Sequence, residues 1–182
     1  MTKKPYNRPP AQPEPTAPPP EPLAVGLPGG SGLIRVAAEG DLAALVAFEI
    51  RIATISFGAE AVTEPAVHEK KLRKALERGE PGMFVLERGG AVQGWLWATF
   101  NTNFLTDEAY ATFRSLAVDE SVPDHAVLAD ALFGYGIAYA RRAGMREITG
   151  KVHVANTPMR LIYKKAGFTA EHLTMKLPLP DA

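Results

Sequence analysis

The chain has 182 residues, with Lys plus Arg and Asp plus Glu both at 20, so its formal net charge is zero. That balance lacks the basic surplus of a phosphate-tracking nucleic-acid binder, and no run of 18 apolar residues offers a membrane-spanning helix. Hydrophobic residues make up 46%, enough for one core, and cysteine is absent, which excludes disulfides, thiolate nucleophiles and Cys-based zinc sites and points to a cytoplasmic protein.

Ten of the 16 prolines fall in residues 1–32. The run Pro18-Pro19-Pro20-Glu21-Pro22 cannot enter a helix interior or a central strand, because proline lacks the N–H and fixes φ. Gly29-Gly30-Ser31-Gly32 reads as a flexible joint. Residues 1–32 are therefore predicted as a disordered proline-rich arm. It is either a solubilising tail or a ligand for a proline-binding protein partner. Residues 33–182 are predicted as the folded domain, without a secretory signal before it.

Residues 33–38 read as a short strand. Leu42, Leu45, Val46, Glu49 and Ala53 then share one helical face, with Asp41 as its N-cap. A second helix is predicted over 64–78, capped by Thr63, with Pro65 in its first turn and Gly79 as its stop. Strands follow at 83–87, 92–100 and 111–118, an antiparallel meander. In the middle strand Trp95 and Trp97 take one face and Val92, Leu96 and Ala98 the other. A polar loop over 101–108 contains two apolar residues, Phe104 and Leu105, which suit a lid, an interface or a loop tucked onto the core.

A longer helix is predicted over 123–143, with Val127, Leu128, Ala131, Leu132, Tyr135, Ala138 and Tyr139 as its apolar stripe. A strand over 147–154, a short helix over 157–166 closed by Gly167, and a last strand over 168–177 complete an α/β order in which residues 111–154 form a parallel strand–helix–strand unit.

Three stretches carry a family resemblance. They are Ser115-Leu116-Ala117-Val118 at a strand end, Val152-His153-Val154-Ala155-Asn156, and Leu161-Ile162-Tyr163-Lys164-Lys165-Ala166-Gly167-Phe168. In this order and spacing the chain resembles the GNAT superfamily of acyl-CoA-dependent N-acyltransferases over roughly residues 33–177. The resemblance implies a mixed, mostly antiparallel sheet with a splayed parallel strand pair and flanking helices. It implies acetyl-CoA as co-substrate and a small amine or protein amine as acceptor. Leu116, Ala117 and Val118 would hold the pantetheine arm, Asn156 would hold the splayed strands or reach the cofactor, and Tyr163 would protonate the leaving thiolate. A phenol with a pKa near about 10 suits that task. By analogy with such domains, a homodimer is also implied.

The family's pyrophosphate motif matches poorly. At Asp124-His125-Ala126-Val127-Leu128-Ala129, only Ala129 fits the small residue that lets backbone N–H groups approach an anion. Ser121, Pro123 and Asp124 instead make a good helix start, with Ser121 as cap and Asp124 as the acid of a capping box. Two functions stay open: an N-acetyltransferase acting on a primary amine, and a non-catalytic binding or scaffolding module with impaired CoA binding.

A general base could come from Glu49, Glu69, Asp107 or Glu108, with Glu49 singled out because it lies on an apolar helix face. The four histidines form no spaced pair, so no metal site is expected. His153 is expected at the sheet surface or the cleft.

Overall fold

The computed structural model describes residues 20–28, 30–171, 175 and 177. Six strands form one sheet in chain order: β1 (Leu23–Leu27), β2 (Gly30–Val36), β3 (Met83–Arg88), β4 (Ala91–Thr102), β5 (Ala109–Val118) and β6 (Glu147–Gly150). Neighbours pair antiparallel except β5 and β6, which are parallel and joined through a helix. The helices are α1 (Leu42–Phe57), α2 (Pro65–Glu77), α3 (His125–Arg142) and α4 (Thr157–Lys165). The expected mixed α/β architecture is the one observed.

Both sheet faces are covered, so strand interiors are apolar on both sides and Met83, Phe84, Val85 and Leu86 are all buried in succession. One core joins α1 and α2 to the sheet through Leu45, Leu72, Val85, Trp95 and Trp97. The other joins α3 and α4 through Leu86, Leu96, Leu132, Phe133 and Tyr163. Each fully buried leucine contributes about 2 kcal/mol by leaving water. The stretch Glu39–Glu60 reaches a mean hydropathy of 1.7, high enough for a membrane span by length and composition. Its Leu42, Leu45, Val46, Phe48 and Glu49 pack against the sheet instead.

The domain begins earlier than the composition suggested. The hairpin of β1 and β2 starts at Leu23, not near Leu33, and pairs Leu23 with Ile34 through Leu27 with Gly30. Its glycines serve the hairpin rather than a joint. Gly30 has φ of 144°, and a Cβ on Gly32 would meet Leu27 Cδ1 at 2.7 Å. The arm up to residue 19, and Gly29, lie outside the described residues. The same holds for part of the last predicted strand; its described residues 168–171 form no strand. The strand predicted to end at 154 stops at Gly150.

Two bulges displace the simple alternation. Leu86 faces Gly94 while Glu87 faces Val92, so Gln93 is an extra residue and Val92 turns to the Trp95 and Trp97 side, against expectation. Trp97 faces Ser115 while Ala98 faces Phe113, so Arg114 is extra in β5.

Two expected caps are replaced by other contacts. Asp41 sits at the α1 N-cap position, but its carboxylate takes the Arg35 fork at 2.7 and 2.9 Å and the Ala38 amide at 2.8 Å. These charge-assisted bonds outweigh a cap. Glu64, not Thr63, precedes α2, with Pro65 opening the helix and Gly79 at φ of 61° closing it. On α3, Val127 is 41% exposed, and Ala129, Phe133, Gly136 and Ala140 join the buried stripe in its place.

Candidate active site

The sheet opens where β5 outruns β6. The parallel pairing covers only Tyr110 to Phe113 against Glu147 to Gly150, whereas β5 stays paired with β4 as far as Val118. Residues 115–118 therefore have a partner strand on one side and, among the described residues, none on the other. Backbone groups alternate in direction along an antiparallel pair. The Asp119 amide donates to the Gln93 carbonyl at 2.8 Å, on the β4 side. The Val118 carbonyl accepts from Arg51 on α1, on the other side. Leu116 and Val118 thus present their main-chain groups to the gap.

Leu116, Ala117, Val118, Ala129 and Asn156 all line this cleft, with Arg51 and Ile52 from α1 forming its opposite wall. All five positions assigned to co-substrate binding are brought together. Asn156 is also the N-cap of α4, its side-chain oxygen accepting from the Met159 amide at 3.2 Å. One residue holds the helix and borders the cleft.

A second hollow continues the cleft past Leu116 towards the point where β5 and β6 meet, and Tyr163 lies in its wall. Tyr163 is 8% exposed and packs on Phe168 and Phe133 with ring centroids 4.7 and 5.8 Å away. Its hydroxyl has no hydrogen-bond partner among the described residues. Burial pushes this phenol up to about 12, so it carries its proton throughout the neutral range.

Glu49 does not line either part of the cleft. It is 7% exposed beneath α1, where its carboxylate accepts from Trp95 Nε1 at 3.0 Å and from the Ser115 hydroxyl and pairs with Lys71 at 3.4 Å. The apolar helix face was a correct reading; the buried carboxylate is held by donors that fix the sheet to the helix. It reaches the cleft only through Ser115. Of the other acids, Glu69 pairs with Arg73 at 2.7 Å and Glu108 with Arg146 at 3.6 Å. Asp107 occupies a loop residue with φ of 57°. None of the three lines the cleft.

The start of α3 differs from the expected capping box. Ser121 bonds to Asp119 at 2.7 Å rather than capping the helix. Asp124 at the N-cap makes no side-chain cap; its two oxygens meet the Arg88 guanidinium at 2.6 and 2.9 Å. The bidentate pair holds the Asp124 carboxyl below the usual carboxylate range. It also cancels a negative charge that would repel an anion at this helix end. The His125 and Val127 amides donate to the carbonyls of Val122 and Asp124 at 3.1 and 2.8 Å. The Val127 side chain points outward and leaves the cleft clear.

His153 is exposed, its ring tilted against Phe57 with centroids 5.7 Å apart, and its Nδ1 accepts from the Ala155 amide at 3.2 Å. Phe104 and Leu105 are 86% and 79% exposed, which excludes a loop tucked onto the core. Sequence reasoning missed Arg51, Arg114, Ser56 and Lys151, all of which line the cleft. Arg51 could have been found as the one cation on an otherwise largely apolar helix. Arg114 depends on a bulge that no local pattern marks.

A family model described as the acetyltransferase (GNAT) family matches residues 27–168. Among curated protein sequences none matches. Solved structures share the fold. A possible acetyltransferase from Clostridium difficile 630 is 16% identical, with a TM-score of 0.67 over 82% of this chain and 99% of that one. The aminoglycoside N-acetyltransferase AAC(6')-Iy in complex with CoA is 15% identical, with a TM-score of 0.66 over 84% and 98%. A structure described as a probable acetyltransferase is 18% identical, with a TM-score of 0.64 over 82% and 99%. At such identities the structures speak for the fold alone, but the family model spans most of the sequence and the cleft lies where the sheet diverges: the chain belongs to the acetyltransferase (GNAT) family.

Proposed function

We propose that the protein is an N-acetyltransferase that moves an acetyl group from acetyl-CoA to a primary amine. The observation that carries this reading is the meeting of the β5 edge beyond Phe113, which pairs with no strand on that side among the described residues, with a Tyr163 hydroxyl that has no partner among them, in adjoining hollows that share Ile52, Leu116, Asn156 and Met159. The residues present fit the co-substrate. An extended amide chain can hydrogen-bond to the main chain of Leu116 and Val118 as a strand would. Arg51 offers a cation beside that edge, and Arg88 has already compensated Asp124. Several fold relatives are described as complexes with CoA or acetyl-CoA, which supports the same reading.

The thioester supplies an activated acetyl carbon to the amine. The chain's own contribution is position and a proton. The edge of β5 and Asn156 fix the approach, and Ile52, Met159 and Ile162 exclude water. Tyr163 Oη holds the proton that the departing thiolate would take up as the N–C bond forms and the C–S bond breaks, and the proton shed by the acylated amine nitrogen restores the phenol, through water, so that amide and free thiol are the products. The raised pKa of Tyr163 keeps its proton in place at neutral pH.

A second reading, a non-catalytic module of the same fold, is favoured by one observation. The His125 and Val127 amides are spent on internal carbonyls instead of facing an anion. Calorimetry with acetyl-CoA, followed by thiol release against an amine panel, separates the two. Micromolar binding with turnover supports the transferase; absent binding and absent turnover sink it. The chain contains no cysteine, so thiol detection carries no protein background.

A further inference from the structure

The acceptor end of the cleft has a charge of its own. Its hollow beside Tyr163 is bordered by Arg114, Lys151 and Ser56, and no carboxylate among the described residues lines it. Arg114 is the extra residue of the β5 bulge, and its guanidinium lies 4.3 Å from the centre of the Trp97 ring. This stacking against a buried indole holds the fork in place without a counter-ion. Arg35, Lys71, Arg73, Arg78, Arg88, Arg146 and Lys165 pair with carboxylates, whereas neither Arg114 nor Lys151 has such a partner among the described residues; Lys71, whose ammonium lies 5.2 Å from the centre of the same indole, pairs with Glu49. The charged side chains lining the recess among the described residues are both cations, and a recess lined by one sign of charge concentrates ligands of the other sign.

We propose that the acceptor is an amine that also carries an anionic oxygen group, a carboxylate or a phosphate, and that Arg114 with Lys151 receives that group while the amine faces the thioester. This rests on the transferase reading and narrows its substrate class. Polycationic amines are disfavoured by the same charges. Arg114 presents two parallel N–H groups suited to a bidentate oxyanion, and Lys151 adds a mobile point charge. Ser56 supplies a hydroxyl on the opposite wall.

The test uses the full chain and acetyl-CoA, with matched acceptors: amino acids against their amides, phosphoethanolamine against ethanolamine, and spermidine as a polycation. Calorimetry with acetyl-CoA comes first, so that failure of the transferase reading is recognised on its own. The expected result is a kcat/KM at least about tenfold higher for the anionic member of a pair than for its neutral match. The carboxylate and phosphate arms show which oxyanion is preferred. Arg114→Gln should collapse that ratio towards one, mainly through KM, and Arg114→Lys should restore part of it. Circular dichroism confirms that each variant is folded, and Lys151→Gln, at an exposed position, repeats the measurement should Arg114→Gln fail to fold. Preference for the neutral or polycationic amine, an unchanged ratio in both Gln variants, or acetyl-CoA binding without turnover of any anionic amine would overturn the proposal.

Discussion

The phenol of Tyr163 lies against the α-carbon of Gly150 so closely that a methyl group there would sit 2.3 Å from the hydroxyl oxygen and 2.5 Å from Cζ. Gly150 is the last residue of β6, paired with Phe113 at the point where β5 and β6 part. The missing side chain at the end of one strand is what leaves room for the proposed acid. Gly150→Ala should therefore displace the ring. Thiol release is expected to fall by roughly tenfold to a hundredfold in kcat. Thermal unfolding should move only a few degrees, because the ring lies at the edge of its core. Wild-type kcat in a folded Gly150→Ala protein would contradict the role given to Tyr163.

Tyr163→Phe removes the proton and keeps the ring. Loss of kcat by about a hundredfold, with KM for acetyl-CoA little changed, is the expected outcome. The same variant reports on alkaline stability. Burial raises this phenol from the ordinary 10.0 to about 12. The unfolded chain therefore releases the proton first, and the tyrosine's contribution is intact below about pH 10 and lost as pH rises through about 12. Two units amount to about 3 kcal/mol. Urea unfolding at several pH values across this window should show a steeper fall for the wild type than for Tyr163→Phe.

Glu49 is expected to matter for stability rather than proton abstraction. Glu49→Ala leaves the Trp95 indole and the Ser115 hydroxyl without their shared acceptor inside the core, at a cost of about 3 kcal/mol in denaturant unfolding. Glu49→Gln keeps an acceptor oxygen and should stay folded with kcat within about tenfold of wild type. A general base would lose about a hundredfold or more. A drop of that size in folded Glu49→Gln would return Glu49 to the chemistry.

Asp124→Asn frees the Arg88 guanidinium from its bidentate partner at the opening of α3. One negative charge is lost near the place where phosphates approach. KM for acetyl-CoA should fall several-fold at low salt, and the gain should shrink as ionic strength rises and the Debye length falls below about 10 Å. An unchanged KM at low salt would show that this pair lies outside the phosphate path.

Chains shortened from the N-terminus discriminate between two domain starts. A protein beginning at Pro20 keeps β1 and should match the full chain in thermal stability. One beginning at Leu33 loses β1, half of β2 and the buried Leu27. It should be less stable by at least about 3 kcal/mol.

Periodicity and punctuation made most of the architecture readable. The apolar face of α1 is spaced for a helix, Gly79 and Gly144 stop α2 and α3, and the strands of the meander are rich in branched and aromatic residues. The family pattern around Tyr163 and Asn156 made their place beside the cleft legible. The β1–β2 hairpin was not, because prolines and glycines signal disorder and tight turns alike. The pair Arg88–Asp124 joins positions 36 residues apart, and the Glu49 network joins α1 to two strands, so neither leaves a local trace. The bulges at Gln93 and Arg114 shift side chains between faces without changing composition, which is why Val92 was placed on the wrong face and Arg114 was overlooked.

The side of β5 that faces the cleft, where Arg51 meets the Val118 carbonyl, is also a template. Main-chain donors and acceptors left open along a strand can receive any extended polypeptide, including a neighbouring copy of the same protein. Saturation with the thioester would cover that template and, by mass action, favour the native form. Shelf life in concentrated solution should therefore lengthen when acetyl-CoA is present, a difference that light scattering over time can record.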